Sequence, residues 1–173
     1  MSAIDEKTGA ATIIDYEHHE VHEGSHYFCS YSVASIGAMT TPDDMIQLTW
    51  ATPNSTKLWH LTIGAKCGAT ALYKFTEGWT GGGVSPTGSL VGYNRNRNYK
   101  NASTPIYYDA TEVTGGIVLE QEYVAAGKFG AGESRGAQEW VLRPSENYAV
   151  SLYLNATNEA ELELNWYEHS NRK

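Results

Sequence analysis

Apolar and polar residues alternate along this chain in short bursts, and no stretch longer than about ten residues keeps a helical apolar period unbroken by Gly or Pro. In Leu58-Trp59-His60-Leu61-Thr62-Ile63, Leu58, His60 and Thr62 fall on one side and Trp59, Leu61 and Ile63 on the other. In Glu161-Leu162-Glu163-Leu164-Asn165-Trp166 every second residue is apolar, the pattern of a strand with one wet face. Segments rich in β-branched and aromatic residues, bounded by Gly, Pro, Asn and Ser clusters, predict strands at 26–33, 45–51, 58–65, 69–75, 106–109, 117–124, 139–142, 148–154 and 162–167. That many short strands hide their edges by stacking or closure. The expectation is an all-β protein: an antiparallel β-sandwich, jelly-roll-like, at 15–173, preceded by an extended N-terminal arm at 1–14.

Two stretches do not read as strands, 77–103 and 125–136. Long loops in a compact domain are usually functional or ordered by a partner. Their Trp79, Tyr93, Arg95, Arg97, Phe129 and Arg135 are of types enriched at interface hot spots.

At 173 residues the chain suits one domain that needs neither a metal nor a disulfide to hold its core. The arm has no secretion-signal layout, and no apolar run reaches the roughly 20 residues of a membrane helix. Folding in a cytosol is the expectation, with Cys29 and Cys67 as buried free thiols. Twelve basic residues against twenty acidic ones give a net charge of −8, which opposes a phosphate backbone or an anionic membrane as partner. The basic island at 94–100 is too small to reverse that.

Four of the six histidines lie in the run from Tyr16 to Phe28, Tyr-Glu-His-His-Glu-Val-His-Glu-Gly-Ser-His-Tyr-Phe. His18, His22 and His26, four apart, would share a helix face. Yet Tyr27 and Phe28 read as strand, and Gly24-Ser25 would break the helix. Extended, the run places His18, Glu20 and His22 on one face, as a polar ladder sensitive to pH. The two histidines separated by one residue that cupin-type metal strands use are absent, so no metal or cofactor is expected. Gly132-Glu133-Ser134-Arg135-Gly136 fits a nucleophile-elbow signature, with Glu139 and His169 in triad order. A parallel α/β framework is missing, however, and nothing reaches the level of an enzyme signature.

The run at Tyr16–Phe28, the Asn94-Arg95-Asn96-Arg97 element, Glu139-Trp140-Val141-Leu142-Arg143-Pro144 and Trp166-Tyr167-Glu168-His169 together resemble a family of small virion proteins of tailed bacteriophages. The resemblance spans about residues 14–169. It implies a capsid decoration (cement) protein, made in the host bacterial cytoplasm and carried on the capsid exterior. A homotrimer would be bound to the major capsid protein, with no nucleic acid or membrane as partner. The interface would then draw on Tyr16, His18, His19, His22, Trp79, Tyr93, Arg95, Arg97, Phe129 and Arg135, and the arm would reach a neighbouring subunit. Protonation of His18, His19 and His22 near pH 6 would loosen those contacts. The rival expectation is a jelly-roll adhesin of the tail or head fibre, using Trp79, Tyr93 and Tyr99 to stack sugars.

Overall fold

The computed structural model describes residues 2–4, 11–13, 16–36, 45–126 and 139–170, with 2–4, 11–13 and 16–18 described by backbone alone. Thirteen strands and one helix follow in chain order: β1 (Ser2–Ile4), β2 (Ala11–Ile13), α1 (Tyr16–Glu23), β3 (His26–Ile36), β4 (Ile46–Ala51), β5 (Lys57–Cys67) and β6 (Ala71–Glu77). Then come β7 (Gly88–Leu90), β8 (Tyr93–Asn94), β9 (Ile106–Tyr108), β10 (Ile117–Val124), β11 (Trp140–Leu142), β12 (Asn147–Leu154) and β13 (Asn158–Ser170).

The protein is all-β, built on two antiparallel sheets. One runs β10-β6-β12-β4-β9-β7 and the other β11-β5-β13-β3-β8. β1 and β2 pair with each other in a separate two-stranded sheet, so residues 2–4 and 11–13 form a hairpin and not the extended arm expected. All nine predicted segments are strands. β3 and β13 run beyond their expected ends, because they pair with each other from Tyr167↔His26 to Asn158↔Ile36.

The alternation read from the sequence sets the core. Trp59 and Leu61 of β5 and Leu162, Leu164 and Trp166 of β13 turn inward from one sheet. Ile46, Leu48 and Trp50 of β4, Phe75 of β6 and Tyr148, Val150, Leu152 and Leu154 of β12 meet them from the other. Trp59 stacks on Trp166 at 4.7 Å between ring centroids, and Trp50, Phe75 and Tyr148 stack together at 5.9–6.2 Å. Such pairs add about 0.5–1.5 kcal/mol each beyond the area they bury. Cys29 and Cys67 are free and buried, as expected, and burial pushes the Cys29 thiol up to about 12.

Two further expectations fail. The stretch 77–103 holds two strands, β7 and β8, which borrow partners at the sheet edges: β7 from β9, and β8 from β3. Three and two residues are too few to show alternation, so tertiary pairing alone defines them. Tyr16–Glu23 is a helix, not an extended ladder. Gly24, at φ 74°, ends it. Its N–H bonds the Val21 carbonyl at 3.2 Å, and the Ser25 N–H bonds the Glu20 carbonyl at 3.0 Å. That pair of bonds is the Schellman closure, so Gly24-Ser25 caps the helix instead of forbidding it.

Candidate interaction surface

Four sequence-distant stretches meet at the end of the five-stranded sheet where β3 begins. Helix α1 leads into β3, and His26 of β3 is paired with Tyr167 of β13. β8 adds to the outer edge of β3 through Tyr27↔Asn94 and Phe28↔Tyr93. On the far side β11 pairs with β5, and Glu139, just ahead of it, joins both His60 and Tyr167.

Asn94 is the buckle of this arrangement. It is fully buried, and its Nδ2 donates to the carbonyls of Gly24 at 2.7 Å and Lys100 at 3.0 Å. Its Oδ1 accepts the Asn96 N–H at 2.9 Å. Asn96 in turn donates to the His22 carbonyl at 3.2 Å, and the Arg95 N–H bonds the His26 carbonyl at 2.9 Å. The loop thus grips the end of α1 and the start of β3 at once. Tyr99 lies against Gly24 so closely that a Cβ there would stand 2.2 Å from its ring.

With the loop fixed, its other side chains face outward. Tyr93 is 53% exposed, and the Arg97 guanidinium lies 5.4 Å from its ring centroid while donating to Asn101 Oδ1 at 3.1 Å. Arg95 is exposed beside them. This gives an otherwise acidic protein a basic, aromatic rim. The histidine-rich helix lies next to it, with His19 half-buried and His22 exposed.

The strands contribute a second group. His60 stacks on Tyr167 at 4.6 Å and lies 4.4 Å from the His169 ring. His60 Nδ1 and the Tyr167 hydroxyl both reach Glu139 Oε1 at 2.5 Å. An imidazole–carboxylate group is therefore built across β5, β13 and the start of β11, apart from the contacts of His19 with Glu20 and Glu23 on α1. Sequence reasoning missed His60. The signal was there: alternation puts His60 on the wet face of β5, and an antiparallel neighbour ending in Tyr167 and His169 brings them abreast. Beneath the surface, burial raises Glu168 above the usual carboxylate range, although the Trp166 indole N–H, 3.4 Å from its Oε1, opposes the shift.

The expected site residues divide as follows. His19, His22, Tyr93, Arg95 and Arg97 come together here, and Tyr16 and His18 join by backbone, on α1. Trp79 stands apart, after β6 in the other sheet, with its ring against Gly83. Phe129 and Arg135 lie outside the described residues, as does Ser134 of the nucleophile-like signature. Glu139, which precedes His169 in triad order, bonds His60 and the Tyr167 hydroxyl. A cavity of about 430 Å³ opens at the opposite end of β3, among Val33, Ile36, Met45, Asp109, Ala110 and Thr111, and uses none of these residues.

No family model, curated protein or solved structure matches the chain.

Proposed function

We propose that the protein is a bacteriophage capsid decoration protein, which binds the outer capsid surface as a trimer and bridges neighbouring copies of the major capsid protein. The observation that carries this reading is convergence. The four stretches that resemble the virion family, spread from Tyr16 to His169, meet around one end of a single sheet. Buried Asn94, His26 and Trp166 anchor the place where they meet, and Tyr93, Arg95 and Arg97 face outward from it.

Strand order supports a jelly roll. β3, β4, β5 and β6 change sheet at every step, and β10, β11, β12 and β13 do so again. The orders β3-β13-β5-β11 and β4-β12-β6-β10 are those of two interleaved Greek keys. Charge points the same way, because a net −8 suits a capsid exterior better than a DNA-filled interior. The β1–β2 hairpin lies outside both large sheets, and an isolated two-stranded hairpin is marginal in water. It is the element we assign to a neighbouring subunit or capsid protein.

The function is mechanical. Each bridge adds buried interface at a capsomer junction, and many modest contacts sum through multivalency. A sugar-stacking platform of Trp79, Tyr93 and Tyr99 fits less well, since Trp79 is packed on Gly83 and follows a strand of the other sheet. Light scattering of the purified protein tests the assembly. A mass three times 19.0 kDa is expected, whereas a monomer at all concentrations removes the preformed trimer.

A further inference from the structure

We propose that His19, Glu20 and Glu23 form a binding site for a divalent transition-metal ion, with zinc the best match. The helix that replaced the expected extended run creates this set, because residues three and four apart on α1, Glu20 and Glu23 and His19 and Glu23, converge where a strand would separate them. His19 Nε2 stands 3.3 Å from Glu23 Oε1, and its Nδ1 3.8 Å from Glu20 Oε1. One ligating atom from each residue lies within 4.8 Å of the other two. Ligands bound to one tetrahedral zinc at about 2.0–2.2 Å stand roughly 3.4 Å apart. The ring offers one nitrogen to the ion, so side-chain rotation of the half-buried His19 and the exposed Glu23 is what closing that gap requires.

A separate observation points to a cation. The Glu20 side chain is 4% exposed, and its two oxygens are treated unequally. Oε2 accepts the Ser25 hydroxyl, whereas Oε1 has no hydrogen-bond donor among the described residues and faces the cluster. No Lys or Arg among the described residues pairs with it. A buried carboxylate is costly unless a positive charge and hydrogen bonds compensate it. Two carboxylates and a neutral imidazole carry a charge of −2, which a divalent ion cancels.

The donor set selects the metal. Imidazole nitrogen favours zinc and its neighbours over magnesium and calcium, which take oxygen ligands. Three protein ligands leave a fourth position for water. The Schellman cap and the Asn94–Asn96 grip hold this end of α1 in place, so the site is organised before the ion arrives. The inference is independent of the capsid reading, and either can fail alone.

The test is calorimetric titration of the untagged full-length protein with zinc chloride, and separately with magnesium chloride. The expected result is one saturable zinc site per chain, a higher melting temperature with zinc and no comparable response to magnesium. Glu23→Gln and His19→Gln should each weaken zinc binding at least tenfold, while His22→Gln keeps it. Glu23 is 57% exposed, so its substitution leaves the fold intact and decides the matter even if His19→Gln fails to fold. Absence of saturable zinc binding overturns the proposal. So does wild-type affinity in Glu23→Gln, or an equal loss in His22→Gln, which would indicate scattered surface histidines.

Discussion

Replacing Asn94 by Ala should destabilise the protein by about 3 kcal/mol, since three hydrogen bonds worth about 1 kcal/mol each are lost. The side chain is fully buried, and truncation strips partners from the Gly24 and Lys100 carbonyls and from the Asn96 N–H. For a domain of this size each kcal/mol moves the melting temperature by about 2–4 °C, so a fall of roughly 6–12 °C is expected. Urea unfolding followed by tryptophan fluorescence measures the change directly. Asn94→Asp sharpens the test: it keeps the acceptor but sets a carboxylate oxygen against two carbonyls, so it should be at least as damaging as Ala. Asn98→Ala serves as control, because Asn98 is exposed and among the described residues bonds only Asn96; its cost should stay below about 0.5 kcal/mol. A loss below about 1 kcal/mol in Asn94→Ala, or a milder effect of Asp than of Ala, would refute the reasoning that this residue clamps the surface together.

Glu168 and the two cysteines yield further predictions. Burial raises the Glu168 pKa, so the folded state holds its proton more tightly than the unfolded chain does. Stability is therefore fullest below the unfolded value near ~4.3 and is lost as pH rises through the folded value. Glu168→Gln, which keeps an acceptor for the Trp166 indole, should stabilise the protein at pH 7 and do little at pH 4; equal effects at both would contradict this assignment. Cys29, pushed up to about 12, and the buried Cys67 should resist a thiol-labelling reagent in native buffer and react together in denaturant. Rapid native labelling of Cys29 would show that the sandwich opens there.

The strands were legible because most carry their own pattern. Trp59, Leu61, Leu162, Leu164 and Trp166 all fall on the buried side that alternation assigns them. β7 and β8 were not, because a two- or three-residue strand is defined by the edge it joins. Helix α1 escaped for a different reason. Its sequence, Tyr-Glu-His-His-Glu-Val-His-Glu, has no apolar stripe, so period gave no signal, and the Gly24-Ser25 cap looked like a break. At the surface, Tyr93, Arg95 and Arg97 stand out by residue type, and His19 and His22 by the histidine-rich run they belong to. Their proximity could not be read, since it rests on β8 joining β3 across some seventy residues of chain. Alternation placed His60 on the wet face of β5, but its place beside Tyr167 and His169 also depends on the register of β13 against β5.

The central claim is that this surface docks on a capsid. Phage heads that lack a decoration protein, mixed with increasing amounts of the purified chain and sedimented, test it most directly. The account predicts saturable co-sedimentation at a stoichiometry of three chains per site, weakened by Tyr93→Ala and Arg95→Ala in variants whose unfolding is unchanged. Failure of the folded protein to sediment with such heads at any concentration would contradict it.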